Sequence, residues 1–294
     1  METVEQLRGR IGTANDLLSV VKTMKGMAAV NIRQYERAVE ALNVYAQTVE
    51  MAFHVLVRDR PQAIRSPLGE AGEKPVLAVV FGSDQGLAGP FNREIAAHTA
   101  AWFEEHGVGP GERAVMAIGV RAASELDGAG FECDAVSTLP GAAPALTGHV
   151  RNTLLRIERW REENRPGRVL LFHHRPRSGA SYKPQTRPLI PLDLEWLRTL
   201  AEKPWPARGL PFYTLPWEDM FGALVREHLF TLVFRAYADS LASENASRLA
   251  SMQNAETNIQ EKIDQLQARF HQRRQASITE ELLDVVAGFE VLKQ

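Results

Sequence analysis

Eight histidines and one cysteine are the side chains of this 294-residue chain best suited to metal binding or nucleophilic catalysis, and their spacing supports neither. His173 and His174 sit side by side, while His54, His98, His106, His149, His228 and His271 are scattered. No pair has the HExxH spacing that puts two imidazoles on one helical face, and no CxxC supports them, so no metal site is expected. Cys133 lies in FECDAV with nothing nearby in sequence to activate it, and no GxSxG elbow occurs. Carboxylates are numerous but fall on helical stretches, where a solvated face is the ordinary role. No catalytic residue is expected. The stretch GSDQGLAGPFN, residues 82–92, is more suggestive. Its glycines follow an apolar run and open a helix, the setting in which backbone N–H groups cradle phosphate. It matches neither GxGxxG nor GxxxxGK[ST], and no Lys follows to meet outer phosphates. A nucleotide site and a tight strand-to-helix turn both remain open on these residues, the turn being favoured, and no cofactor is expected.

The composition narrows the field further. A formal net charge of -2 offers no global field for nucleic acid or an anionic membrane, so no nucleic-acid partner is expected. A single thiol makes no internal disulfide, which suits a reduced, cytoplasmic setting. The opening METVEQLRGR has no apolar core of a secretory signal. Apolar runs such as VLAVVF fall far short of the roughly 20 residues of a membrane span. A soluble protein whose membrane connection goes through a partner is expected.

Helix breakers divide the chain into residues 1–60, 61–216 and 217–294. No Pro precedes Pro61, Pro and Gly are frequent up to Pro216, and neither occurs from Ala223 to Ala287. In the first part Ile32, Tyr35, Val39, Leu42, Ala46, Val49, Phe53 and Leu56 step by three and four, a coiled-coil seam that Leu7, Ile11, Ala14, Leu18 and Val21 extend. Met252, Ala255, Ile259, Ile263, Leu266 and Phe270 do the same in the last part. A helix of that length must project past a compact middle domain. The middle alternates strand and helix. KPVLAVVFG, RAVMAIG, FECDAVSTL and RVLLFHH read as strands, with amphipathic helices between them and an edge strand plus irregular connection over 182–216. The expected fold is α/β plus long α, an antiparallel coiled coil of terminal helices with a Rossmann-like α/β middle domain.

Two features of the last helix call for a partner surface. Ala242-Ser243, Ala246-Ser247 and Ala250-Ser251 recur every four residues, a stripe of small side chains that admits a second backbone closely. The expected facing patch is Gly26-Met27-Ala28-Ala29. Near the end, within RRQASITEELLDVVAG and just after it, Leu282, Leu283, Val285, Val286, Phe289, Val291 and Leu292 make the final turns apolar almost all round. A helix apolar on every side is one that something buries. A nucleotide-binding enzyme with dimerising helices, a coiled-coil scaffold and a subunit of a larger machine all fit these residues.

The whole chain resembles the gamma subunit of F-type ATP synthases, the central stalk that rotates inside the alpha–beta hexamer. VVKTMKGMAAVNIRQ is similar to the family's first-helix motif, and FGSDQGLAGPFN to its S-[ST]-D-x-G-L-C-G-x-x-N turn. LASENASRLASMQNAETNIQEKI and RRQASITEELLDVVAG are similar to its last helix and tail. The resemblance implies a non-catalytic rotor that couples the membrane c-ring to the beta subunits, with epsilon as a further partner. It also implies a peripheral place on the cytoplasmic side of the cell membrane. Carried over residue by residue, Met24 and Lys25 lie where the family's stalk meets the moving domains of beta. Arg248, Arg274, Gln275 and Thr279 lie where it contacts a catch loop. Departures are Gly26 for a usual Met, Ala88 for a usual Cys, PFYTLPWED without Tyr-Glu-Pro, and Glu280 for a frequent Gln. They suggest a divergent branch, such as the alternative F-type ATPases that some bacteria carry beside their main enzyme.

Overall fold

A computed structural model of the chain describes residues 3–63, 75–164, 167–177, 181–205, 209 and 211–291. The chain divides into two compact units, residues 1–28 with 249–294, and residues 29–248. Two long helices contribute to both: α1, Val4–Asp59, and α6, Trp217–Val291. The start of α1 is a reciprocal cap. The Gln6 backbone N–H donates to Thr3 Oγ1 at 3.2 Å, and the Thr3 N–H donates to Gln6 Oε1 at 2.9 Å.

The first unit is a pair of helix ends joined along the expected seam. Leu7, Leu18, Val21 and Ala28 are buried, as are Met252, Ile263 and Leu266. Ile11, Ala14, Ala255, Ile259 and Phe270 are half-buried. Of residues 26–29, the expected facing patch, only Ala28 is buried. At 100° per residue the helix turns Gly26 away, and a Cβ there would meet nothing within 4 Å.

The second unit is a three-layer α/β domain. Its strands are β1 (Val76–Phe81), β2 (Arg113–Ile118), β3 (Ala135–Ser137), β4 (Arg168–Pro176) and β5 (Tyr182–Ile190). They lie in the order β3-β2-β1-β4-β5, all parallel except β5, which runs antiparallel at one edge. All six residues of β1 are buried, because helices cover both faces. Val76, Ala78 and Val80 face one core with α2 (Phe91–Glu105) and α3 (Val120–Gly128). Leu77, Val79 and Phe81 face the other, which contains residues of α1, α4 (Leu146–Glu163) and α6. The connection after β5 is not irregular throughout. It contains α5, Leu194–Glu202, capped where Asp193 Oδ1 accepts the Trp196 N–H at 2.8 Å, with Leu197 and Leu200 buried. Flanking prolines hid its short period from a reading of the sequence. The third strand also pairs over fewer residues than FECDAVSTL suggests, since the Asp134 side chain accepts the Val115 N–H at 2.7 Å.

Candidate functional site

Every residue of α6 from 236 to 248 is buried. A helix enclosed on all sides is ordinarily apolar, yet this one contains Asp239, Ser240, Ser243, Glu244, Asn245, Ser247 and Arg248. Within the helix, Ser243 Oγ donates to the Asp239 carbonyl at 2.8 Å and Asn245 Nδ2 to the Leu241 carbonyl at 2.8 Å. Arg248 Nη2 donates to Glu244 Oε1 at 2.7 Å, one turn apart. Burial pushes the Glu244 carboxyl up, and Arg248 opposes that rise.

Several other elements enclose this stretch. On one side lies α1. Asn31 pairs with Asn245 at 3.2 Å, Asn43 with Arg235, and Tyr45 with Glu227 at 2.7 Å. The partner number falls as the α1 number rises, so the helices are antiparallel. On the other side lies the glycine turn. Ser247 Oγ donates to the Ala88 carbonyl at 2.6 Å and lies 2.9 Å from the Tyr182 hydroxyl, while Arg248 Nη2 approaches the Gly86 carbonyl at 3.5 Å. The small-residue stripe and the glycine turn, two separate motifs of the sequence, meet each other. A bulkier residue at 246 or 247 would hold the turn away.

The turn is braced by its own side chains. Asn92 Oδ1 accepts the Ser83 N–H at 2.8 Å, and Asn92 Nδ2 donates to Ser83 Oγ at 2.8 Å. Asp84 caps two neighbouring loops, its oxygens accepting the Val120 N–H at 2.9 Å and the Leu139 N–H at 2.7 Å. Gly82 is required for clearance, since a Cβ there would sit 2.3 Å from the Ala122 Cβ. The Gly82 and Ser83 amides are engaged within the fold, and the Asp84 carboxylate is committed to two neighbouring loops. This geometry favours a structural turn over a nucleotide site.

A second anchor holds α6 to the sheet. Tyr237 is fully buried, lies edge-on to Phe81 at 4.9 Å between centroids, and its hydroxyl is 2.9 Å from Thr153 Oγ1. Burial drives the phenol up to about 12, so it stays protonated.

The carried-over positions fall into two environments. Lys25 Nζ reaches Glu256 Oε2 at 2.5 Å, a bond that holds the Glu256 carboxyl below its usual range; Met24 beside it is half-buried. Arg274, Gln275 and Thr279 are exposed on α6, with Thr279 Oγ1 donating back to the Gln275 carbonyl at 2.9 Å. Arg248 is apart from these, buried with its guanidinium on Glu244 and Gly86. Close to Thr279 the helix exposes Ile278, Leu282, Leu283, Val285 and Val286, each 47% or more accessible. The side chains of Phe289 and Val291, and all of Leu292, lie outside the described residues. Among the described residues no His, Cys, Asp or Glu cluster could hold a metal, and no helix is long and apolar enough to cross a membrane. Asp84, Tyr182 and Tyr237 are structural contributors that the sequence did not single out. Only Asp84 had a local signal, its place in the turn.

The ATP synthase family model matches residues 3–292. The chain belongs to the gamma-subunit family of ATP synthases. It is 25% identical to an ATP synthase gamma chain of Alkaliphilus metalliredigens (strain QYMF), over 99% of both chains. In fold it is similar to a chain in the cryo-EM structure of the Euglena gracilis mitochondrial ATP synthase with OSCP, F1 and c-ring. The TM-score is 0.65 at 17% identity, covering 98% of this chain and 94% of that one. A chain in the central stalk and c-ring of the Tetrahymena thermophila mitochondrial ATP synthase matches with TM-score 0.58 at 18% identity, covering 80% and 99%. Gamma subunits of ATP synthase are non-catalytic rotor subunits, the catalytic sites being on beta.

Proposed function

We propose that this gamma subunit couples rotation of a membrane c-ring to the conformational cycle of catalytic beta subunits. It does so by presenting its paired helices to the alpha–beta hexamer and its α/β unit to epsilon and the c-ring. It would work as a peripheral subunit on the cytoplasmic side of the membrane. The proposal treats residues 1–60 and 217–294 as the shaft and 61–216 as the domain that rides on it. The observation that carries it is the contrast along α6. The helix is gripped on every side at 236–248 and offers an unpartnered apolar surface at 278–286. Apolar side chains of that size, exposed in series, mark a surface that another protein covers. Met24, Lys25, Arg274, Gln275 and Thr279 are proposed as polar and half-buried contacts to beta. Each contributes of order 1 kcal/mol, enough to favour one angular position without locking it. Arg248 contributes from inside, by fastening the glycine turn to α6.

Co-purification of a tagged chain from its native cell tests this reading. Recovery of alpha, beta and epsilon with a c-ring is expected, and recovery of the chain alone would sink the proposal. Deleting residues 273–294 is expected to uncouple hydrolysis from ion pumping while leaving residues 29–248 folded.

A further inference from the structure

We infer that the α/β unit carries a second site, a cleft between β5, α5, α1 and α6 that takes a small divalent oxyanion of the phosphate class between Arg187 and Arg235. The cleft is a cavity of about 520 Å³, and both arginines line it together with Trp196, His228, Glu50 and Asp193. Both arginines are half-buried. Among the described residues Arg187 makes no hydrogen bond and no ion pair, and Arg235 donates only to the neutral amide of Asn43. Burial, and then the nearby Arg235, weaken the hold of Arg187 on its proton. Two like charges kept in a partly dry cavity destabilise one another unless an anion lies between them.

The acids nearby do not fill that role. Glu50 is engaged with Lys203 at 3.6 Å, and the Asp193 carboxylate caps α5 through the Trp196 N–H. Asp239 feels the field of both arginines and of Arg175 but forms no ion pair with them; burial raises its carboxyl to about 6, so at neutral pH it is charged and offsets only part of their field. Trp196 and His228 stack at 4.8 Å and 18°, giving the cleft a rigid wall. Burial lowers the imidazole of His228 to about 4, so at neutral pH that wall is uncharged and the two guanidiniums are the cationic groups that line the cleft. Guanidinium forks match tetrahedral oxyanions in geometry as well as charge. The inference does not rest on the rotor reading.

Equilibrium dialysis of the full-length chain against radiolabelled inorganic phosphate tests it, with circular dichroism to verify folding. Saturable binding of one phosphate per chain is expected, with sulfate competing and chloride not. Arg187→Gln and Arg235→Gln should each weaken binding at least about tenfold, whereas Arg159→Gln, on exposed surface of α4, should leave it unchanged. If Arg187→Gln fails to fold, Arg187→Lys serves instead, since it keeps the charge but loses the fork and should still weaken binding. No saturable binding by the wild-type chain, or binding retained in the arginine variants, overturns the inference.

Discussion

In the α/β unit, α6 runs enclosed from 236 to 248 and most of its buried polar groups find partners, whereas in the other unit the same helix exposes five large aliphatic side chains between 278 and 286. Both stretches lack Gly and Pro and both are helical, so propensity does not separate them. Their neighbours do. The enclosed stretch is rich in Ala, Ser and other short side chains, which let neighbouring elements approach it closely. The open stretch carries Leu, Ile and Val that nothing covers among the described residues. A helix can thus be anchored at one place and left available for a partner at another by side-chain size alone.

Acid should separate the two units most sharply. His173, His174 and His228 are held neutral by burial, with folded values near 4, 3 and 4 against an ordinary 6.5. Unfolded chains therefore bind more protons below about 6.5, and stability falls as pH drops from there towards 4. Asp239 and Glu244 act in the opposite sense, since their raised carboxyls take up protons in the folded state first, but they are two groups against four imidazoles, His98 being lowered by burial as well. All five tryptophans lie in the α/β unit, so their fluorescence reports it alone. That signal should be lost on acidification before the helical dichroism of the other unit, where the Lys25–Glu256 pair persists until pH falls below the usual glutamate range. His174 has neither ring nitrogen hydrogen-bonded and stacks on Phe91 at 4.2 Å, so His174→Phe should move the fluorescence midpoint to lower pH.

Removing the Tyr237 ring empties a fully buried site, and Tyr237→Ala should cost about 3–5 kcal/mol by chemical denaturation. Asp84→Ala frees two loop amides and should cost about 2–3 kcal/mol. An unchanged midpoint for Asp84→Ala would mean the turn is held by its glycines alone. Leu282→Ser should alter stability by no more than about 0.5 kcal/mol yet weaken assembly in pull-down with the hexamer subunits. Lys25→Gln is the mildest change. It should lower the melting temperature slightly at low salt and not at all at high salt, because a partly exposed ion pair is screened.

Much of this molecule was legible before its tertiary structure. Strand β1 is six consecutive apolar residues, a signature of a strand buried on both faces. The seam of Leu7, Leu18 and Val21 follows from helical period alone. Helix α5 was not legible, because nine residues between prolines hold too few turns for a period to stand out. The contact of Ser247 with the Ala88 carbonyl was not legible either. It joins positions 159 residues apart, and neither residue type distinguishes a contact between helices from one between helix and turn.

The sequence by itself determined that two long helices flank an alternating α/β middle, and to which family the chain belongs. Those properties are written in local period, composition and motif. Only the tertiary structure decided which stretch of α6 is enclosed and by what, that Asn92 braces the glycine turn while Asp84 ties it to two neighbouring loops, and that Arg187 and Arg235 share one cleft. Such facts depend on which distant segments come within hydrogen-bond reach, and a hydrogen bond acts over about 3 Å regardless of separation along the chain.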